Sequence, residues 1–179
     1  MKHMRMQLVV DAEHFQRVIR KGICTAKVSI DVMTADFKAM LVPTLGTRGA
    51  KSIVQILRSK ADAGVEIRLL HAGVPSASAL MELRKALPER LTIRRCPRLH
   101  SKAVILDAAR MYLGSANLTG AGLGAKSDGR RNFEMGFWTT DSGVIDQVLN
   151  EFNALWEGRH CKTCQRRDVC PVPLEEPRL

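Results

Sequence analysis

The chain has 179 residues, a length at which one domain can bury a self-sufficient core. Its 45% apolar and 26% charged residues exclude a disordered, collagen-like or coiled-coil architecture. A total of 28 Lys and Arg against 18 Asp and Glu leaves a net charge of +10, which favours polyanionic partners such as nucleic acid or anionic lipid head groups.

The apolar run Leu8-Val9-Val10 stops at Asp11, too early for a signal-peptide core, and no stretch approaches the roughly 18 apolar residues of a spanning helix. A soluble, cytoplasmic protein is expected. Five cysteines is an odd number, and three of them fall within ten residues near the carboxy terminus, which points to metal or cluster binding rather than a disulfide scaffold.

Phe15, Val18 and Ile19 predict a helix over about 11–21, with Gly22 ending it in a left-handed conformation. A strand is expected at 26–33, a helix at 48–63 stopped by Gly64, and a buried strand at 65–70. Leu80, Leu83 and Leu87 predict a helix over 77–87 halted by Pro88, followed by a short strand at 91–94. The runs 103–106 and 111–113 read as paired strands joined by a tight connection. A long glycine-rich loop, 114–131, leads to a last strand at 133–139. Ser142 is placed to cap a final helix carrying Val144, Ile145, Val148, Leu149, Phe152, Leu155 and Trp156, which ends near Gly158. The expected organisation is a catalytic domain over 1–158 and a polar, Cys-rich tail over 159–179.

The segment from His100 to Asp107 reads H-x-K-x4-D, and Gly114-Ser115-Ala116-Asn117 follows. Side chains two apart on a strand share a face, so His100 and Lys102 place an imidazole beside an ammonium, a natural phosphate site. Ser115 and Asn117 repeat the spacing and add neutral donors. Chance placement of this many fixed positions runs to about one window in 10^8.

This pattern resembles the signature of the phospholipase D superfamily, H-x-K-x4-D-x6-G-S-x-N. The resemblance implies an α/β fold in which a mixed β-sheet is flanked by helices on both faces. It also implies phosphodiester hydrolysis through a phosphohistidine, with His100 as nucleophile or acid/base and Lys102, Ser115 and Asn117 stabilising the transition state. Glu134 would accept a hydrogen bond from the His100 ring, and Asp107 would hold the motif's geometry. The chemistry needs two histidines, and one motif copy is present, so the resemblance to small single-motif endonucleases implies a homodimer with a shared site. No metal is expected to be needed for hydrolysis.

The substrate is argued from charge. Arg84, Lys85, Arg90, Arg94, Arg95, Arg98 and Lys102 against Glu89 give +6 in nineteen residues, and Lys126, Arg130 and Arg131 extend the basic run. Arg94, Arg95, Arg98, Lys126, Arg130 and Arg131 are therefore expected to bind the phosphate backbone of nucleic acid, DNA before RNA, with little sequence preference because aromatics are few. A cardiolipin-type lipid hydrolase is the alternative, and it would require an apolar anchor that the sequence does not display. A silent nucleic-acid-binding subunit is a third reading.

Cys161, Cys164 and Cys170 form C-x2-C-x5-C, one ligand short of a closed tetrahedral site. A zinc ion would recruit His160, Cys24 or Cys96. The spacing also resembles part of the iron–sulfur staple of RecB-like nucleases, and that resemblance implies Cys24 as fourth ligand of a [4Fe-4S] cluster. Cys96 is expected to be a buried strand-end thiol. The centre, zinc or cluster, would be structural.

Overall fold

The computed structural model describes residues 6–44, 48–83 and 87–175. The described residues form nine strands and three α-helices. The strands are β1 (Met6–Val10), β2 (Ser29–Thr34), β3 (Leu41–Pro43), β4 (Ala50–Ser52), β5 (Glu66–His71), β6 (Leu91–Arg95), β7 (Lys102–Leu106), β8 (Arg110–Gly114) and β9 (Met135–Thr139); the helices are α1 (Ile53–Asp62), α2 (Ala77–Leu83) and α3 (Ser142–Trp156). Seven strands make one mixed sheet in the order β1-β9-β8-β7-β2-β5-β6, and β3 pairs with β4 separately. β2, β5 and β6 run parallel, while β7 lies antiparallel to β2 and begins the antiparallel half.

Helices cover both faces. Ile30, Val32, Ile67, Leu69, Val104 and Leu106 point into the larger core, closed by α1, α2 and the segment carrying Val18, Ile19 and Ile23. Met33, Leu70, Ala103, Ile105 and Met111 point the other way and meet α3 through Ile145, Phe152 and Trp156. Every residue of β7 is buried, as a central strand covered on two sides requires. Arg68 on β5 fastens α3 to the sheet: it pairs with Asp31 at 2.6 Å, donates to Asn153 at 2.9 Å and lies 4.7 Å over the Phe152 ring.

Several local expectations are corrected. The first helix is a π-helical turn at Phe15–Arg20, and Gly22 ends it at φ −101°, outside the left-handed region. Glycine is needed there for close approach, because a Cβ would lie 2.1 Å from the Val18 carbonyl oxygen. Residues 50–52 are a strand, and the helix begins after Ser52, whose hydroxyl accepts from Gln55 N while the Gln55 side chain caps Ser52 in return. Asp141, not Ser142, caps α3 by accepting from Val144 N at 3.0 Å. Of the helix expected at 77–87, residues 84–86, with the charges of Arg84 and Lys85, lie outside the described residues, and Leu87, packed against the larger core, is not helical. β1 was not foreseen: five residues are too few for a periodic signal, and its outward side chains are apolar, so no alternation marks it.

This topology brings one set of chain ends together. The carboxyl ends of β2, β5, β6 and β8 and the amino ends of β7 and β9 share a rim, as the registers Thr34↔His71, His71↔Arg95, Met33↔Ala103, Lys102↔Gly114 and Gly114↔Gly136 require.

Candidate active site

His100 is exposed in the turn entering β7, and Lys102 is the strand's first, buried residue. Lys102 Nζ donates to the His100 carbonyl at 2.6 Å and lies 3.2 Å from both ring nitrogens, so whichever nitrogen lacks a proton faces an ammonium donor. Burial pulls the Lys102 pKa down, and the nearby Glu134 carboxylate only partly opposes it.

Across the hairpin, β8 delivers Ser115 and Asn117 to the same rim. Asn117 Oδ1 accepts from Ala35 N at 3.0 Å, Asp36 N at 3.1 Å and Thr34 Oγ1 at 3.3 Å. The two backbone N–H donors fix the amide through its carbonyl oxygen, the single Thr34 hydroxyl proton being shared with the nearer Asp36 carbonyl at 2.7 Å, and the amide NH2 is left turned to other partners. Ser115 Oγ donates to Glu134 Oε2 and accepts from Met135 N at 3.1 Å. Glu134 is buried; its other oxygen accepts from Asn132 Nδ2 at 3.1 Å, and its hydrogen bonds run to Ser115 and Asn132 rather than to the His100 ring.

Gly114 and Gly136 face each other across β8 and β9, and the Tyr112 ring occupies the space of both missing side chains. A Cβ on Gly114 would stand 2.4 Å from the Tyr112 hydroxyl oxygen, and one on Gly136 2.4 Å from the ring. Tyr112 is held in turn by His14. The His14 Nδ1 contacts the Asp11 carbonyl at 2.8 Å, which can only accept, so Nδ1 carries the proton and Nε2 accepts from the Tyr112 hydroxyl at 3.0 Å. The Tyr112 oxygen accepts from Ala116 N at 3.1 Å. Burial pushes the phenol up to about 12, the Ala116 N–H opposes this, and the Glu134 charge adds to it.

Asp107 sits at the far end of β7. Its Oδ1 accepts from the N–H groups of Val28 (2.7 Å), Lys27 (2.9 Å) and Ser29 (3.2 Å), and Oδ2 pairs with Arg110 at 2.8 Å. Burial raises its pKa, but these donors outweigh it and hold the carboxyl below the usual range. Asp107 thus ties the hairpin to the start of β2, a strand's length from His100.

The basic residues divide. Arg94 lies 4.6 Å over the Trp156 ring and donates to the Trp156 carbonyl, while Arg95 donates to the Ala72 carbonyl at 3.1 Å. Arg98 is exposed beside His100 with Cys164 Sγ at 3.6 Å. Lys126 and Arg130 are exposed on the loop, and Arg131 pairs with Asp128. Of the cysteines, Cys24 packs against the larger core near Arg20 and Lys60, away from the tail.

Sequence reasoning missed three supports. Thr34 holds Asn117 and also accepts from Leu118 N at 2.9 Å. Asp11 grips the Glu134 backbone, its side chain accepting from Glu134 N and its N–H donating to Glu134 O, both at 3.0 Å. The third is an apolar surface. Leu8, Leu113, Met135 and Phe137, between 38% and 66% exposed, border a hollow of about 630 Å³ with His100 and Lys102. Apolar residues alternating outward at 113, 135 and 137 were the available signal.

The mixed sheet, its helices and this rim define a phospholipase D-like domain, and the chain belongs to that superfamily. Residues 19–156 match the family model described as cardiolipin synthase, PLD-like domain. Among solved structures it is similar to the phospholipase D family member Nuc from Salmonella typhimurium, at 19% identity and TM-score 0.64, covering 86% of this chain and 94% of that one. NucT from Helicobacter pylori gives 15% identity and TM-score 0.64 over 87% and 97%. TrmBL2, described as an archaeal chromatin protein with a novel mode of DNA binding, gives 16% identity and TM-score 0.53 over 88% and 54%. No curated protein matches the chain.

Proposed function

We propose that the protein is a phosphodiesterase acting on the nucleic-acid backbone, an endonuclease of low sequence specificity that works as a homodimer. The observation that carries this reading is the placement of Lys102 Nζ 3.2 Å from both nitrogens of the exposed His100 ring, on a rim that also holds Ser115 and Asn117.

A His100 nitrogen attacks phosphorus, forming an N–P bond as the P–O bond to the leaving group breaks. The leaving oxygen takes its proton from a second imidazole, supplied by the partner subunit's His100. That imidazole then takes a proton from water, whose oxygen attacks phosphorus and releases His100 with a phosphate monoester. Lys102, Ser115 and the Asn117 NH2 meet the charge that builds on the phosphoryl oxygens. These groups supply the electrostatics a divalent ion supplies elsewhere, so the reaction calls on no metal.

Dimerisation is supported by the apolar strip of Leu8, Leu113, Met135 and Phe137, which borders His100 and Lys102 and would be covered if two copies met across the site. The same strip gives a second reading substance: acyl chains of an anionic phospholipid would also rest there. Among the described residues no helix is long and apolar enough to cross a membrane.

The test offers plasmid, single-stranded DNA, RNA and cardiolipin to the wild type and to His100→Ala in excess chelator. Cleavage of nucleic acid that survives chelation and vanishes in His100→Ala, with binding retained, is expected. Preferential hydrolysis of cardiolipin would establish the lipid reading. Binding without cleavage by the wild type would establish a silent subunit, and activity lost to chelator and restored by magnesium would overturn the metal-free mechanism.

A further inference from the structure

The tail after α3 has turns but no helix or strand through residue 175, and its composition offers little to pack. It is nevertheless tied to the domain at its far end. Leu174 packs into the cluster of Trp156, Phe152 and Leu99, and the Arg95 N–H at the edge of the sheet donates to the Glu175 carbonyl at 3.0 Å. Between the end of α3 and these anchors lie Cys161, Cys164 and Cys170.

All three face a cysteine of the domain. Cys96 leaves the end of β6, its N–H donating to the His71 carbonyl at 2.8 Å, and borders one small hollow together with Cys161, Cys164 and Cys170. A larger adjoining hollow of about 320 Å³ is bordered by Cys96, Cys161, Cys164 and His100. Cys161 Sγ lies over Gly158, where a Cβ would stand 3.3 Å away. Arg98 and Arg167 stand against the group.

We infer that Cys96, Cys161, Cys164 and Cys170 form a tetrathiolate metal centre that clamps the tail to the segment leading into the candidate nucleophile. Cys24 has no part in it: it lines neither hollow and faces Arg20 and Lys60. Four soft sulfurs suit zinc or an iron–sulfur cluster and exclude hard cations such as magnesium. Among the described residues no three metal-ligating side chains already close on a common point, so ligation draws the half-buried Cys164 and Cys170 and the tail segment between them inward. Only Pro97, Arg98 and Leu99 separate Cys96 from His100. The centre therefore acts as a positioning device, and does not touch substrate.

The test purifies the full chain anaerobically, quantifies bound metal and records the visible spectrum for the wild type, Cys96→Ser, Cys164→Ser and Cys24→Ser. The wild type is expected to hold about one zinc per chain, or about four irons with sulfide and an absorbance band at roughly 400 nm. The spectrum distinguishes the two, and either upholds the site. Cys96→Ser and Cys164→Ser are expected to lose most of the metal while Cys24→Ser keeps it. Cys164 is half-buried in the tail, outside every helix and strand, so its variant retains a native far-UV circular dichroism spectrum even where Cys96→Ser misfolds. The inference is overturned if the wild type takes up neither zinc nor a reconstituted cluster, or if Cys24→Ser loses the metal that Cys96→Ser retains.

Discussion

Ser115 donates its hydroxyl hydrogen bond to the Glu134 carboxylate, across the long loop that separates their strands. The acid therefore orients the serine directly. Glu134→Gln is expected to keep the fold, since Asp11 holds the backbone at this point, and to lose about 100-fold or more in kcat. Ser115→Ala breaks the same contact from the other side, so the double variant should cost little more than the worse single one. Additive losses in steady-state kinetics would show that the two side chains act separately.

Lys102 supplies a second prediction, on pH. Burial favours its neutral form, so the ammonium loses its proton below the ordinary lysine value of 10.5. If that ammonium stabilises the transition state, the alkaline limb of the kcat profile falls below this value. In Lys102→Arg, whose guanidinium does not titrate in the accessible range, the limb should move upward on a lower plateau. An unchanged limb would assign the titration to another group.

Asp107 governs stability rather than rate. Its folded pKa is depressed, so its contribution is complete above the unfolded value of about 3.9 and is lost as pH falls through the lower folded value. Asp107→Ala, which removes a charged acceptor of four hydrogen bonds, is expected to cost about 3 kcal/mol near neutrality. The difference from wild type should narrow at the acid end. Asp107→Asn keeps an acceptor oxygen and tolerates the positive φ of 55°, so it should recover part of the loss in urea unfolding.

The apolar strip gives a prediction on assembly. Phe137→Glu places a charge beside Leu8 and Leu113 without disturbing a buried side chain. Light scattering should report a monomer, and cleavage should fall at least about tenfold because each chain then offers one histidine. A monomeric Phe137→Glu with full activity would remove the shared-site mechanism.

The residues of the candidate site could be picked out because their types and spacing are local: His100 and Lys102 two apart, Ser115 and Asn117 two apart. The central strands were legible for a similar reason, since burial on both faces leaves uninterrupted apolar runs such as 103–106. What could not be read was contact between distant segments. Nothing local says that Asp11 grips Glu134, that Thr34 orients Asn117, or that Cys96 rather than Cys24 faces the tail, because each depends on which strand ends share a rim. Gly22 shows a different limit: a glycine required for close approach and one required for positive φ look identical in sequence.

The Gly114↔Gly136 pair over Tyr112 has a consequence for how this site can change through evolution. The ring fills two absent side chains, so β9 cannot slip by one residue without driving Met135 or Phe137 into it, and the two-strand register is keyed to a single phenol. Alanine at Gly136 is barred while Tyr112 is present, and alanine at Gly114 is barred by the β9 backbone as well, since its Cβ would stand 2.5 Å from the Gly136 Cα and 2.6 Å from the Met135 carbonyl oxygen. A smaller residue at position 112 would also release His14 and the Ala116 N–H. Gly136 can therefore change only after position 112 and through a weakened intermediate, while Gly114 is held as glycine for as long as β8 and β9 keep this register.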